Sequence, residues 1–186
     1  MTKSQRARDA TSSANSPVKD LLFEYIGASD EIPALLAEKR FEEIVRLVTK
    51  ECYDRAAGMG DRQQSIGVLA TGLLHYLLTR AMIPSQRKVE FRGVDVDIIV
   101  PDLRTLEKNP QKALLVCIQT EPGIKDRLAS LEKIQPIREN IWAVQTDGAV
   151  TGYKSFIVSK DGEDFSGIIS EMKKFADAKF GILGLD

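Results

Sequence analysis

Segment 62–82 (RQQSIGVLATGLLHYLLTRAM) carries apolar residues at intervals of three and four, the spacing of one face of an α-helix. The face is broad, and its members are Ile66, Leu69, Ala70, Leu73, Leu74, Leu77 and Ala81. So wide an apolar face predicts a helix buried against a sheet, and Pro84 is expected to end it. His75 lies inside this helix, where we expect a partly buried, hydrogen-bonded imidazole rather than a catalytic one.

After Pro84 the apolar residues alternate with polar ones, which predicts three β-strands. Segment 87–92 alternates as a half-exposed strand does, and Gly93 permits a bend after it. The second strand has a uniformly apolar face made of Val94, Val96, Ile98 and Val100. Its opposite face is made of Asp95, Asp97 and Ile99. Segment 101–111 carries two prolines and is expected to be a loop.

The third predicted strand covers residues 112–120 and completes a hairpin with the second. One of its faces is formed by Leu114, Val116 and Ile118, and the other by Leu115, Cys117 and Gln119. The simplest antiparallel register places Asp97 opposite Cys117 and Asp95 opposite Gln119, so that all four share one face at one end of the hairpin. A slip of one residue would break this assignment.

The rest of the chain divides into three regions. Residues 1–17 are polar and expected to be disordered, because they offer almost nothing to bury. Residues 18–60 predict a helical extension, which ends in a glycine-containing break before an α/β core over 61–186. Within the core, the pattern predicts a helix over 124–139, strands over 141–144 and 153–159, and a terminal helix over 165–180.

The charge and cysteine content restrict the kinds of partner. The formal net charge is −1, so DNA contact would need a local basic patch. Candidate contact residues are Arg87, Lys88, Arg92, Lys112, Lys125 and Arg127. Cys52 and Cys117 lack metal-site spacing, and a single histidine leaves too few partners for zinc. Without a membrane span or the apolar core of a signal peptide, a soluble cytoplasmic protein with no membrane partner is expected.

The predicted order of helix, three strands, helix, two strands and helix resembles the restriction-endonuclease-like fold of the PD-(D/E)xK superfamily, and within it the archaeal Holliday-junction resolvases. The resemblance covers the segment 62–160. It implies an α/β protein with an α-β-β-β-α-β core, in which helices flank a mixed sheet and to which the N-terminal helical extension is added. It also implies a DNA partner, Mg²⁺ in an active member, and a homodimer.

The family's motif can be placed on two strands of this chain. Val96-Asp97-Ile98-Ile99-Val100 resembles the V-D-I-V pattern and puts Asp97 at the acidic position. The E-x-K pattern of the next strand falls on Cys117-Ile118-Gln119, so cysteine replaces the acid and glutamine replaces the lysine. A further acid on the first helix of the family corresponds to Gln63 or Gln64.

These departures bear directly on catalysis. Mg²⁺ is a hard cation that needs oxygen ligands, and cysteine is too soft to replace a carboxylate. Glutamine can orient a water but supplies no positive charge to a phosphoryl transition state. The leading hypothesis is therefore a catalytically degenerate nuclease, retained without a cofactor as a DNA-binding or protein-interaction module. Its relic site would comprise Asp97, Asp95 and Gln119.

Two alternatives stay open at this point. An active nuclease could shift the motif to Gln119-Thr120-Glu121 and bind Mg²⁺ through Asp95, Asp97 and Glu121. Alternatively, the protein could be a structural partner subunit without nucleic-acid contact. The two aspartates would then be solvated acids, with Arg87 or Arg92 as their partners.

Overall fold

The computed structural model describes residues 16–150 and 152–180, and within them the strands form one mixed sheet. The strands are β1 (Gln86–Phe91), β2 (Val94–Val100), β3 (Leu114–Ile118), β4 (Ile141–Gln145) and β5 (Lys154–Ile157), and they lie side by side in that order. β1, β2 and β3 pair antiparallel, whereas β3, β4 and β5 pair parallel. A mixed sheet is what the sequence predicts.

Helices cover both faces of this sheet. They are α1 (Pro17–Ala28), α2 (Glu31–Ala37), α3 (Phe41–Ala57), α4 (Arg62–Arg80), α5 (Leu103–Lys108), α6 (Ile124–Glu132), α7 (Glu163–Ser166) and α8 (Ile168–Phe180). The predicted order of helix, three strands, helix, two strands and helix is confirmed from α4 to α8, except that the short helix α5 lies between the second and third strands. Among the described residues, no helix combines the length and apolar character needed to cross a membrane.

Two hydrophobic clusters lie on opposite faces of the sheet. The larger contains Ile98, Val116 and Val144 of the sheet and packs against helices α1 to α4, α7 and α8. The smaller contains Ile99, Leu115, Cys117 and Ala143, together with apolar residues of α5 and α6. Since successive residues of a strand point to opposite faces, two clusters follow from strands that are buried on both sides.

The predicted extension is helical, and its apolar residues join the larger cluster rather than forming a core of their own. Leu22, Ile44 and Val48 are fully buried in the same cluster as Leu73 and Leu77 of α4. The first helix begins at Pro17, the last residue of the predicted polar tail. Residues 1–15 of that tail lie outside the described residues.

The strand boundaries differ from the prediction by one or two residues at several ends, and three larger differences concern helices. Segment 101–111 is not a loop, because the Asp102 carboxylate accepts from the Thr105 N–H at 2.7 Å and caps α5, whose Leu106 is buried. The helix expected to reach residue 139 ends at Glu132, ahead of Pro136. The terminal helix is divided at Gly167 into α7 and α8.

The offset predicted for the β2–β3 hairpin is confirmed, because Ile98 pairs with Val116, Ile99 with Leu115 and Val100 with Leu114. The two predicted pairs at the site, Asp97 with Cys117 and Asp95 with Gln119, are not formed, because the pairing ends at Ile98 and Val116.

The predicted apolar face of β2 is wrong in its first half. Val96 lies in the smaller cluster with Ile99, whereas Ile98 and Val100 lie in the larger one. The alternation of β2 breaks at Asp97, which lies opposite Lys88 of β1. Lys88 has a left-handed φ of 49°, and the pair of Lys88 and Asp97 is missing from the β1–β2 ladder. A residue in this conformation interrupts the pleat of a strand. The interruption places Asp97 at the edge of a cleft.

Candidate functional site

The candidate site lies where β2 and β3 separate. Their backbone pairing ends at Ile98 and Val116, while β3 continues to pair with β4 as far as Ile118. The Ile118 N–H, which has no partner on the β2 backbone, donates to the Asp97 Oδ2 at 2.7 Å. The Asp97 carboxylate therefore fills the gap between the two strands.

Arg127 of α6 completes this arrangement. Its Nη2 donates to the Asp97 Oδ2 at 2.7 Å, and its Nη1 donates to the Ile118 carbonyl oxygen at 2.8 Å. Both side chains are about two-thirds buried, with exposed fractions of 34% for Arg127 and 29% for Asp97. Charge-assisted hydrogen bonds in a partly buried setting are stronger than those between exposed ions. The guanidinium thus joins the strand carboxylate to the backbone of β3.

The helix that carries Arg127 is fixed by its apolar face. α6 begins at Ile124, directly after Gly123, whose φ of 91° favours glycine and turns the chain out of the preceding segment. Leu128 and Leu131 are buried in the smaller cluster. Because Leu128 follows Arg127 directly, its burial holds the base of the arginine side chain next to the cleft.

Around this ion pair lies a cavity of about 470 Å³, which we name the Asp97 cleft. It is lined by Lys88, Asp95, Val96, Asp97, Thr120, Glu121 and Arg127. A second cavity of about 430 Å³ shares Lys88, Asp97 and Thr120 with the first and extends along α4. The two cavities therefore meet at Asp97.

The second cavity is lined by one face of α4. Gln64, Val68, Thr71 and His75 line it, and their spacing of four, three and four residues places them on one face of α4. Gln63 is not among the lining residues. Of the two glutamines, Gln64 is therefore the one that faces the second cavity, and its side chain is neutral.

Cys117 and Gln119 do not line either cavity. Cys117 is buried beneath the cleft, and this burial raises the pKa of its thiol to about 12, so the sulfur is protonated and neutral at pH 7. Gln119 is also buried, and its Oε1 accepts from the Thr146 N–H at 3.3 Å. The structure brings Asp95, Asp97 and Glu121 to one cavity, and it places Gln119 elsewhere.

The residues present do not fit a magnesium site of the kind that the resemblance implies. Asp97 already accepts from the Arg127 guanidinium, and Cys117 contributes no oxygen. Within residues 16–150 and 152–180, no three side chains of His, Cys, Asp or Glu are grouped so that they could hold a metal ion. Asp95 and Glu121 are exposed members of the cleft wall.

The six candidate DNA contacts occupy different places. Lys88 and Arg127 line the Asp97 cleft, and Arg87 precedes Lys88 on β1. The guanidinium of Arg92 lies 4.8 Å from the ring centroid of Phe91, at the β1–β2 turn. Lys125 is exposed on α6, and Lys112 precedes the opposite end of β3. Two of the six therefore meet in one cavity.

Two expectations about single residues need correction. The partner of Asp97 is Arg127, thirty residues away, and not Arg87 or Arg92. His75 is partly buried as expected, but its Nε2 has no hydrogen-bond partner among the described residues. Burial, together with the positive charges of Arg87, Lys19 and Lys88, lowers the pKa of His75 to about 4. A sequence pattern reveals neither the partner of Asp97 nor the surroundings of His75, because both depend on how the helices are oriented.

Comparison with known proteins identifies the fold. No protein-family model matches the sequence, and no curated protein matches it. Among solved structures, the restriction endonuclease PspGI in complex with substrate DNA matches at a TM-score of 0.63 and 13% identity, over 88% of this chain and 94% of that one. Metal-depleted Ecl18kI in complex with uncleaved DNA matches at a TM-score of 0.54 and 12% identity, over 99% of this chain and 86% of that one. The chain therefore has the restriction-endonuclease-like fold that the sequence predicts.

Proposed function

We propose that this protein binds DNA through the Asp97 cleft and does not hydrolyse it. The observation that carries the proposal is the contact of the Arg127 guanidinium with the Asp97 carboxylate, at 2.7 Å. In a metal-dependent nuclease that carboxylate would hold the cation that polarises the phosphate and activates the attacking water. In this chain it is instead paired with a side chain that cannot lose its charge.

The residues that would complete hydrolysis support the same conclusion. Cys117 stands at the acidic position, and burial keeps its thiol protonated. Gln119 stands at the lysine position, and its amide oxygen accepts from the Thr146 backbone. No lysine therefore occupies that position to stabilise negative charge on a transferring phosphate.

DNA is the partner that the fold and the cleft favour. The solved structures with this fold that match the chain are complexes of restriction endonucleases with DNA. In this chain, Lys88 is exposed at the cleft and Arg127 keeps a third of its side chain accessible. Phosphate contacts from such groups are local and do not require a positive net charge, so the formal charge of −1 is compatible with them.

The test uses linear and branched duplex DNA in the presence of Mg²⁺, of Mn²⁺, or of a chelator. We expect binding by fluorescence anisotropy that weakens with salt and is unchanged by the chelator, and no cleavage product on a denaturing gel. Asp97→Ala is the control for trace contamination, because a contaminating nuclease is insensitive to it.

Two results contradict the proposal. Metal-dependent cleavage that is lost in Asp97→Ala would show an active nuclease that depends on Asp97, as in the alternative in which Asp95, Asp97 and Glu121 bind Mg²⁺. Failure to bind any DNA at low salt would indicate a protein partner instead, either another chain or a second copy of this one.

A further inference from the structure

Two oxygen atoms converge on one cation in the Asp97 cleft. The Asp97 Oδ2 and the Ile118 carbonyl oxygen accept from Nη2 and Nη1 of the same guanidinium, at 2.7 Å and 2.8 Å. One oxygen is an anionic carboxylate and the other is a backbone carbonyl with a fixed orientation. The backbone carbonyl is held by the sheet, because Ile118 pairs with Val144 of β4.

This pair of oxygens is the type of donor set that hard divalent cations use. Mg²⁺ and Mn²⁺ prefer carboxylate, carbonyl and water oxygens, and Mg²⁺ commonly binds through one or two protein groups while it retains several waters. The cleft is large enough for such waters, with a volume of about 470 Å³. Asp95 and Glu121 line the same cavity and add negative charge to it.

We propose that the Arg127 guanidinium occupies the position of a divalent cation, so that the Asp97 cleft is a latent metal site closed by an internal positive charge. The ligands of the latent site are the Asp97 carboxylate and the Ile118 carbonyl oxygen. The inference rests on the proposed function at one point: a protein that binds DNA without hydrolysing it needs no metal in the cleft. It concerns the chain's own cation and holds whether or not DNA is the partner.

The guanidinium has two advantages over a metal ion from solution. It is tethered to α6, whose Leu128 and Leu131 are buried, so it loses no entropy of association in reaching Asp97. It also stays protonated across the physiological range, and the neighbouring Asp97 raises the pKa of Arg127 further, against the opposing effect of burial. A change of pH within that range therefore does not open the site.

Removing the charge of Arg127 tests the inference without any DNA. Arg127→Gln keeps a donor for the Ile118 carbonyl and deletes the cation. If that variant does not fold, Arg127→Met deletes the cation while it keeps an apolar chain in the place of the arginine stem. We expect either variant to bind Mn²⁺ at about one site and at least about tenfold more tightly than the native protein, as measured by calorimetry and by electron paramagnetic resonance of free Mn²⁺.

Three controls separate charge from structure. Arg127→Lys keeps a cation beside Asp97 and is expected to bind Mn²⁺ no better than the native chain. Asp97→Asn combined with Arg127→Gln removes the carboxylate ligand and should abolish the gain. Arg138→Gln makes the same change of charge in a more exposed ion pair, with Glu132, that lies outside the cavities at Asp97, and should leave Mn²⁺ binding unchanged.

The outcomes distinguish this inference from the proposed function. Native protein that binds Mn²⁺ as tightly as Arg127→Gln overturns the latent site, and so does a double variant that keeps the gain. A native chain that fails to bind DNA, with Mn²⁺ binding still gained in Arg127→Gln, removes the proposed function and supports the inference. If the native chain binds DNA and neither folded variant gains Mn²⁺ binding, the proposed function stands and the latent metal site is overturned.

Discussion

His75 lines the second cavity from α4. Its imidazole is partly buried, and the charged groups that act on it are Lys19 of α1 and Arg87 and Lys88 of β1. Burial is the largest cause and the three positive charges add to it, so the pKa of His75 falls from 6.5 to about 4. The folded protein therefore holds this histidine neutral.

The lowered pKa predicts a loss of stability on acidification. Well above pH 6.5 the imidazole is neutral in both the folded and the unfolded chain, so it makes no pH-dependent contribution there. Between pH 6.5 and about 4 the unfolded chain binds a proton that the folded chain does not. The free energy of unfolding therefore decreases as the pH is lowered through this range. We expect a loss of about 1–2 kcal/mol, reduced by solvent screening because the ring is partly exposed.

Urea unfolding across this pH range, compared between the native chain and His75→Gln, measures the effect. Glutamine is neutral throughout and similar in size, so contributions from all other titrating groups cancel in the difference. The two stability curves should converge toward acid if the native protein is initially the more stable. Parallel curves would show that His75 titrates equally in the folded and unfolded states.

The residues of the site differ in how far the sequence can identify them. Asp97 can be found because it and Asp95 are the two acids in a strand whose other residues are apolar, and the offset between β2 and β3 follows from the hairpin. Arg127 is recognisable as a charged residue of interest but not as the partner of Asp97, because thirty residues and the orientation of α6 separate them. Gln119 is predicted within the third strand but directly follows the end of β3, and its side-chain contact with Thr146 depends on the residue that follows β4.

At the scale of elements, α4 lies unusually close to the end of β3. A Cβ atom built on Gly67 would lie 2.3 Å from the Gln119 carbonyl oxygen and 2.8 Å from Thr120 Cγ2. Both distances are shorter than van der Waals contact, so only glycine permits this approach. Since Thr120 lines both cavities at Asp97, the helix contact also fixes one wall of the site.

Gly67→Ala is expected to destabilise the fold by about 1–3 kcal/mol, because the added methyl group must displace α4 from the β3 backbone. Gly27→Ala is the matched control, since it lies in α1 and a Cβ atom added there would meet nothing within 4 Å. Alanine there should stabilise by up to about 0.5 kcal/mol through helix propensity. Chemical denaturation of both variants measures the difference. Equal stability of the two would contradict the close packing of α4.

The elements themselves are predictable where a local pattern determines them. The two-residue turn of Arg92 and Gly93, both with positive φ, fixes the β1–β2 hairpin and can be anticipated from Gly93. The short helix α5 escapes prediction because its cap, Asp102, follows a proline in a segment that has the composition of a loop. The reversal of Val96 cannot be foreseen, since it depends on the backbone of Lys88 in the neighbouring strand.

For the molecule as a whole, the distribution of positive charge carries more information than its sum. The formal net charge is −1, yet Lys88 and Arg127 meet at the Asp97 cleft, and Lys19 and Arg87 act on His75 beside it. Lys112 lies before the other end of β3, about 20 Å along the strand direction from the cleft. If DNA occupies the cleft, these two regions should contribute unequally to its binding.

Lys88→Gln and Lys112→Gln therefore form a matched pair with the same change of net charge. We expect Lys88→Gln to weaken DNA binding severalfold and to reduce the slope of log affinity against log salt by about one, because one phosphate contact is lost. Lys112→Gln should leave both quantities near their native values. Salt titrations by anisotropy measure the slopes at constant pH. Equal losses in the two variants would mean that a diffuse field attracts DNA, and a larger loss for Lys112→Gln would move the DNA-binding surface to the opposite end of the sheet.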